Sequence, residues 1–147
     1  MTASALSLIQ PYATLVVLGL KEYETRSRPT LYHGGLYIHA SKKFPKWARD
    51  LLSLPAFRDA LAPLGYTSAS HFPLGGVIGK ATMLGCLPTY SVVRRITTRE
   101  RAFGDYSHGR FAMRLTRPVS FERVECDGAL GFWRVPAETL TRIARQS

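Results

Sequence analysis

Lys21, Glu24 and Arg26 stand close together in Gly19-Leu20-Lys21-Glu22-Tyr23-Glu24-Thr25-Arg26, directly behind an apolar run. Ionisable groups beside an apolar scaffold are candidates for a site, because burial and mutual charge move their pKa values. A desolvated lysine can donate a proton, act as a base, or anchor a phosphate or carbonyl oxygen. A neighbouring carboxylate can order that lysine or take a proton from water. The spacing of three puts Lys21 and Glu24 on one face if a helical turn persists there. In a fully extended segment Glu22, Glu24 and Arg26 share a face and Lys21 points away. A fixed Glu24–Arg26 ion pair, needing no ligand, is the structural alternative. Lys21 and Glu24 are thus the catalytic candidates, and Arg26 a ligand-binding one.

A second group reads as a binding rim: Ser41, Lys42 and the loop Tyr106-Ser107-His108-Gly109-Arg110. Gly109 lets backbone approach a ligand closely, and Arg110 can fork onto phosphate or stack on a base. Tyr12 and Tyr106 offer stacking faces for bases, with core packing as the alternative. Gln10 can read a base edge with its amide, or cap the helix that follows it. His39 and His108 are the general acid and base a metal-free ribonuclease would want. A lone histidine at a strand end more often serves only as a hydrogen-bonding group. Neither histidine has zinc-ligand spacing, and the acids cluster nowhere beyond Glu22/Glu24, so no metal and no cofactor are expected.

The elements that must hold these residues are legible in outline. Pro11 to Leu18 reads as two helical turns stopped at Gly19, with Tyr12, Leu15 and Val16 on one face. Tyr23 to Arg28 begins an extended segment ended by Pro29. Gly34-Gly35 is a turn signal before a short strand, Leu36 to His39. Pro45 starts a helix with Trp47, Leu51 and Leu54 on its apolar stripe. A shorter helix follows Pro55 through Phe57, Ala60, Leu61 and Leu64, and Gly65 to Gly75 reads as a polar loop. Gly76 to Leu84 is the clearest buried strand. Pro88 to Tyr106 reads as a mobile basic loop with a short helix near Ile96–Ala102. Arg110 to Thr116 alternates with period two, so it is a half-buried strand. Val119 to Glu125 is another strand after Pro118, and Pro136 opens a terminal helix through Leu140, Ile143 and Ala144.

The chain of 147 residues carries 20 Lys plus Arg against 10 Asp plus Glu, a formal net charge of +10. That balance favours polyanionic partners, nucleic acid first. Lys42, Lys43, Lys46 and Arg49 form one cluster, and seven arginines lie between Arg94 and Arg117. At 46% apolar and 20% charged the composition is that of a globular protein. No run reaches the ~18–20 apolar residues of a membrane helix. Cys86 and Cys126 form no disulfide framework, so a reduced, cytoplasmic setting is expected.

Five pieces in register resemble the ASCH family: Gln10-Pro11-Tyr12, Gly19-x-Lys21-x-x-Glu24-x-Arg26, Ile38-His39-Ala40-Ser41, Gly104-Asp105-Tyr106-Ser107-His108-Gly109-Arg110-Phe111, and Gly128-Ala129-Leu130-Gly131-Phe132-Trp133. The resemblance runs from Leu6 to about Pro136. It implies a PUA-like fold, α+β, a small mixed β-barrel with flanking helices, and a role in RNA or nucleotide chemistry. Trp133 would close the barrel as a core plug. Family members that remove an acyl group from acetylcytidine use a lysine, a threonine and a glutamate. Lys21 matches the lysine, but Glu24 occupies the threonine position, and the strand Gly76 to Thr82 carries no acid. That catalytic set is not carried over intact.

The expectation is therefore a single ASCH-type domain over residues 1–147. Its basic cleft around Lys21, Glu24 and Arg26 would bind RNA, single-stranded nucleic acid or a nucleotide-like small molecule. A small hydrolase using the same cleft, as ribonuclease or acetylcytidine-type amidohydrolase, is the alternative. A regulatory module binding an unidentified protein partner is the second.

Overall fold

Alternation of apolar side chains builds the strands. In β1 (Ser4–Leu8) Leu6 and Leu8 turn into the core, as do Leu36 and Ile38 of β3 (Gly34–Ala40) and Ile78, Ala81 and Met83 of β4 (Gly76–Pro88). With β2 (Tyr23–Arg26), β5 (Phe111–Glu125) and β6 (Phe132–Arg134) they form a six-stranded sheet in the order β2-β5-β4-β3-β1-β6. Only β1 and β3 pair in parallel; every other neighbour is antiparallel. The result, in a computed structural model that describes residues 3–146, is an α+β half-barrel with flanking helices. The first two residues and the last lie outside the described part.

Helix α1 (Tyr12–Val17) seats in this half-barrel, with Ala13, Val16 and Val17 buried in the main core. Gly79 of β4 makes that seat: a side chain there would overlap the Val119 carbonyl oxygen and lie 2.5 Å from Val17 Cγ1. Leu15, on the helix's other side, joins Phe57, Leu61, Phe72 and Phe103 in a second core. Phe57 and Leu61 come from α3 (Pro55–Leu61). A third cluster gathers Val92, Tyr106 and Ala112. The terminal helix α6 (Ala137–Ala144) packs on β5.

Four expectations change in detail. Gly34 and Gly35 lie inside β3 rather than in a turn before it. Helix α2 (Lys46–Asp50) buries Ala48, while Trp47 and Leu54 are exposed, so the apolar stripe is not its packing face. The basic segment after Pro88 forms two short helices, α4 (Thr89–Val92) and α5 (Thr98–Ala102), held by buried Val92 and Glu100. The strand expected to restart after Pro118 is continuous with β5, whose pairing with β4 absorbs the proline through register shifts, with Arg117 at φ +51°.

Candidate functional site

Helix α1 ends at Leu18, and Gly19, at φ +76°, turns the chain back. The amides of Leu20 and Lys21 both donate to the Leu15 carbonyl, at 2.9 and 3.1 Å. Lys21 is thereby aimed inward rather than away from Glu24. Its Nζ donates to the carbonyls of Phe103, at 2.8 Å, and Tyr23, and lies 3.9 Å from Glu24 Oε1. It also sits 5.7 Å from the centre of the Tyr12 ring. The lysine side chain is 0% exposed and that of Glu24 14%. Burial drives the Lys21 pKa down, opposed by the charges of Glu24 and Glu100. Burial drives the Glu24 pKa up, opposed by Lys21, Arg26 and Arg110. Burial and the Glu24 charge raise the Tyr12 phenol.

Glu100, which sequence reasoning passed over, holds the other end of this floor. It accepts from the amides of Glu22, at 2.8 Å, and Tyr23, at 3.3 Å, fixing the entry to β2. A signal was present: Thr97-x-x-Glu100 is a capping pattern, and Thr97 Oγ1 accepts from the Glu100 amide at 3.0 Å. Glu22 itself faces outward onto Arg114, 2.7 Å away. So Glu22 and Glu24 do not act on one face.

Arg26 links the floor to a groove. Its guanidinium is 3.7 Å from Glu24 Oε2 and 34% exposed. It also lines an open cavity of about 1060 Å³ together with Ser41, Lys42, Lys43, His39 and Arg123. Glu125 and Asp127 line it as well. His39 is buried there. Its Nε2 donates to the Cys126 carbonyl at 2.7 Å, which leaves Nδ1 to accept from Ser7 Oγ at 3.0 Å. Burial lowers its pKa. Both ring nitrogens are engaged, and the ring meets Trp133 edge-on at 5.4 Å. The Trp133 indole donates to Ser7 Oγ at 3.1 Å; the tryptophan stands on the edge strand β6, opposite Ala5 of β1, and is only half-buried, so it is not the core plug expected of it.

The remaining candidates separate. Gln10 is fully buried: Oε1 caps α1 by accepting from the Thr14 amide at 2.9 Å, and Nε2 donates to the Pro73 carbonyl at 2.9 Å. Its amide is not free to read a base. Tyr12 is half-buried and packs edge-on against Phe57. Tyr106 is buried, with no hydrogen-bond partner for its hydroxyl, and presents no face for a base to stack on. The loop turns it inward against Val92 and Ala112. Arg110 braces that loop, donating to the carbonyls of Asp105 at 3.1 Å and Thr25 at 3.3 Å. His108 and Gly109 are exposed, Gly109 at φ +85°. The structure therefore brings Lys21, Glu24, Tyr12 and Arg26 together, and Arg26 with Ser41 and Lys42. His108 and Gly109 line neither the floor nor the groove. Among the described residues no group of His, Cys, Asp and Glu is arranged to hold a metal.

A mixed half-barrel with an inserted helix and an ionic floor at its open edge defines a class of small α+β domain. The ASCH domain profile matches residues 6–125. The chain belongs to the ASCH family. Among solved structures it is similar to the ASCH protein of Zymomonas mobilis, at 13% identity and TM-score 0.59, over 98% of this chain and 94% of that one. Two single-substitution variants of the Z. mobilis protein superpose equally well, with TM-scores of 0.57 and 0.58, also at 13% identity. These cover 99% and 98% of this chain and 98% and 95% of theirs. None of the curated proteins matches the chain. No helix among the described residues is long and apolar enough to cross a membrane.

Proposed function

We propose that this ASCH protein binds single-stranded RNA along the groove lined by Arg26, Lys42, Lys43 and Arg123. The ASCH family is generally linked to RNA binding, and the net charge of +10 favours a polyanion. The observation that carries the reading is the groove itself, a cavity of about 1060 Å³ with four cations on its walls. Lys42 and Lys43 are exposed and in no ion pair with an acid among the described residues. Arg26 has only a long contact to Glu24, at 3.7 Å, and that carboxylate is shared with Lys21. The guanidinium can therefore turn onto phosphate without stranding a buried charge. Groove cations take the phosphates, while Lys21 acts as a structural post beneath them.

Fluorescence anisotropy with a labelled oligonucleotide, repeated across salt concentrations, tests this. Neutralising phosphates on a single strand releases counterions, with a slope of log K against log salt of about −0.7 per contact. Four cations predict a slope of about −2 to −3. Lys42→Ala with Lys43→Ala should make it shallower by about 1.4. Absent binding, salt-insensitive binding, or an unchanged slope in the double variant would overturn the reading.

The raised Glu24 carboxyl supports a second reading, a hydrolase of the same cleft. Two of the three protons of the Lys21 ammonium go to buried carbonyls, so proton transfer would fall to Glu24 and phosphate or carbonyl contact to Arg26. Glu24→Gln should then abolish turnover of RNA or acetylcytidine and leave RNA affinity intact. Equal turnover in wild type and variant would remove this role.

A further inference from the structure

The arginine-rich segment that the groove does not use has its own geometry. Between Thr89 and Arg110 the chain holds five arginines and two acids. Both acids are engaged: Glu100 is buried on the amides of Glu22 and Tyr23, and Asp105 holds Ser107 and Arg110. Arg99 and Arg101 flank Glu100 on α5 and are exposed, as are Arg94 and Arg95 in the turn after α4. None of these four stands in an ion pair among the described residues. Their charges face solvent uncompensated.

Just before Arg94 and Arg95 in the chain stands one member of an exposed aromatic pair. Tyr90, 66% exposed, stacks on exposed His108 with ring centres 6.4 Å apart and planes at 30°. Backbone anchoring fixes the platform: Thr89 Oγ1 donates to the carbonyls of Ser107, at 2.8 Å, and Arg110, at 3.2 Å. The Thr89 amide donates to the same Arg110 carbonyl at 2.9 Å. Arg94 lies four residues after Tyr90, in the turn that follows α4, so the short connection keeps the two close along the chain. An exposed, preformed aromatic face beside unpaired arginines is the combination that holds single-stranded nucleic acid. Stacking tolerates any base, and arginine takes the phosphate or adds a cation–π contact.

We infer that Tyr90 and His108, with Arg94 and Arg95, form a second single-strand contact surface, separate from the groove. A base stacks on the Tyr90–His108 pair and the arginines take the phosphates on either side of it. The bound strand is then longer than the groove alone requires, and its bases are unpaired where it crosses this surface. The inference rests on the RNA-binding reading above, and the closing experiment separates the two.

Anisotropy is measured with single strands of about 4 and about 16 nucleotides, and with a blunt duplex of 16 pairs. The proteins are wild type, Tyr90→Ala, Arg94→Ala/Arg95→Ala, and the groove variant Lys42→Ala/Lys43→Ala. All five substituted side chains are exposed, and circular dichroism checks that each variant is folded. Expected for the long strand are a loss of about tenfold with Tyr90→Ala and a salt slope shallower by about 1.4 with the double arginine variant. Duplex affinity should not respond to Tyr90→Ala. If Tyr90→Ala binds the long strand as wild type does, the second surface is overturned, whatever the groove variant does. The groove variant alone decides the first reading, through the short strand. Arginine-dependent capture on anionic vesicles, with RNA binding unchanged in the arginine variant, would make this a lipid-facing patch and also overturn the inference.

Discussion

At the scale of single residues, the floor is an ionic cluster held out of water. Because burial raises the Glu24 pKa in the folded state above its ordinary value, the native protein keeps a proton that the unfolded chain releases. Unfolding free energy therefore falls as pH rises from the ordinary carboxylate range through the raised folded value, by at most about 1.4 kcal/mol per pH unit. Glu24→Gln should lose this slope, so wild type minus variant stability should decline from acid toward neutral pH in urea titrations. A difference that rises with pH would mean the cations around Glu24 outweigh its burial. Lys21 answers differently. Removing it as Lys21→Met leaves the carbonyls of Tyr23 and Phe103 and the Glu24 carboxylate without their cation. A loss of about 3–5 kcal/mol is expected, measured by the same denaturation.

At the scale of elements, position along the chain is decided by close approaches. Gly79 admits α1 to the sheet, since any side chain there meets Val17 and the Val119 carbonyl. Gly79→Ala should cost about 1–3 kcal/mol from overpacking. Gly35→Ala, with open space around the site, should change stability little; a loss at Gly35 matching that at Gly79 would contradict this account of the seat. Much of this was legible in sequence. Helix α1, the Gly19 stop and the alternation of β5 all express local periodicity and backbone preference. The Lys21–Glu24–Arg26 cluster was legible as a set of residue types. Its geometry was not, because the direction of Lys21 depends on Phe103, which is distant in sequence. Tyr106 misled for the same reason: a tyrosine in a Gly-rich loop looks exposed, yet Val92 and Ala112 cover it. Glu100 hid among arginines, its partners lying on β2.

At the scale of the whole molecule, charge and groove meet. The structure pairs many of its acids internally, at Glu22, Glu24, Asp50, Asp59 and Asp105. Excess positive charge is left on the groove wall and on the α4–α5 surface. The most direct measurement is amine footprinting: acetylate the protein with and without single-stranded RNA and compare its lysines by mass spectrometry. The chain has few lysines, and they report on different places. Lys42 and Lys43 line the groove; Lys46 is held by Asp50 at 2.9 Å on α2; exposed Lys80 lies on β4; Lys21 is buried. RNA should protect Lys42 and Lys43, leave Lys46 and Lys80 reactive, and find Lys21 unmodified throughout. Protection confined to Lys46 or Lys80, or no protection under conditions where RNA is bound, would contradict the groove as the binding site.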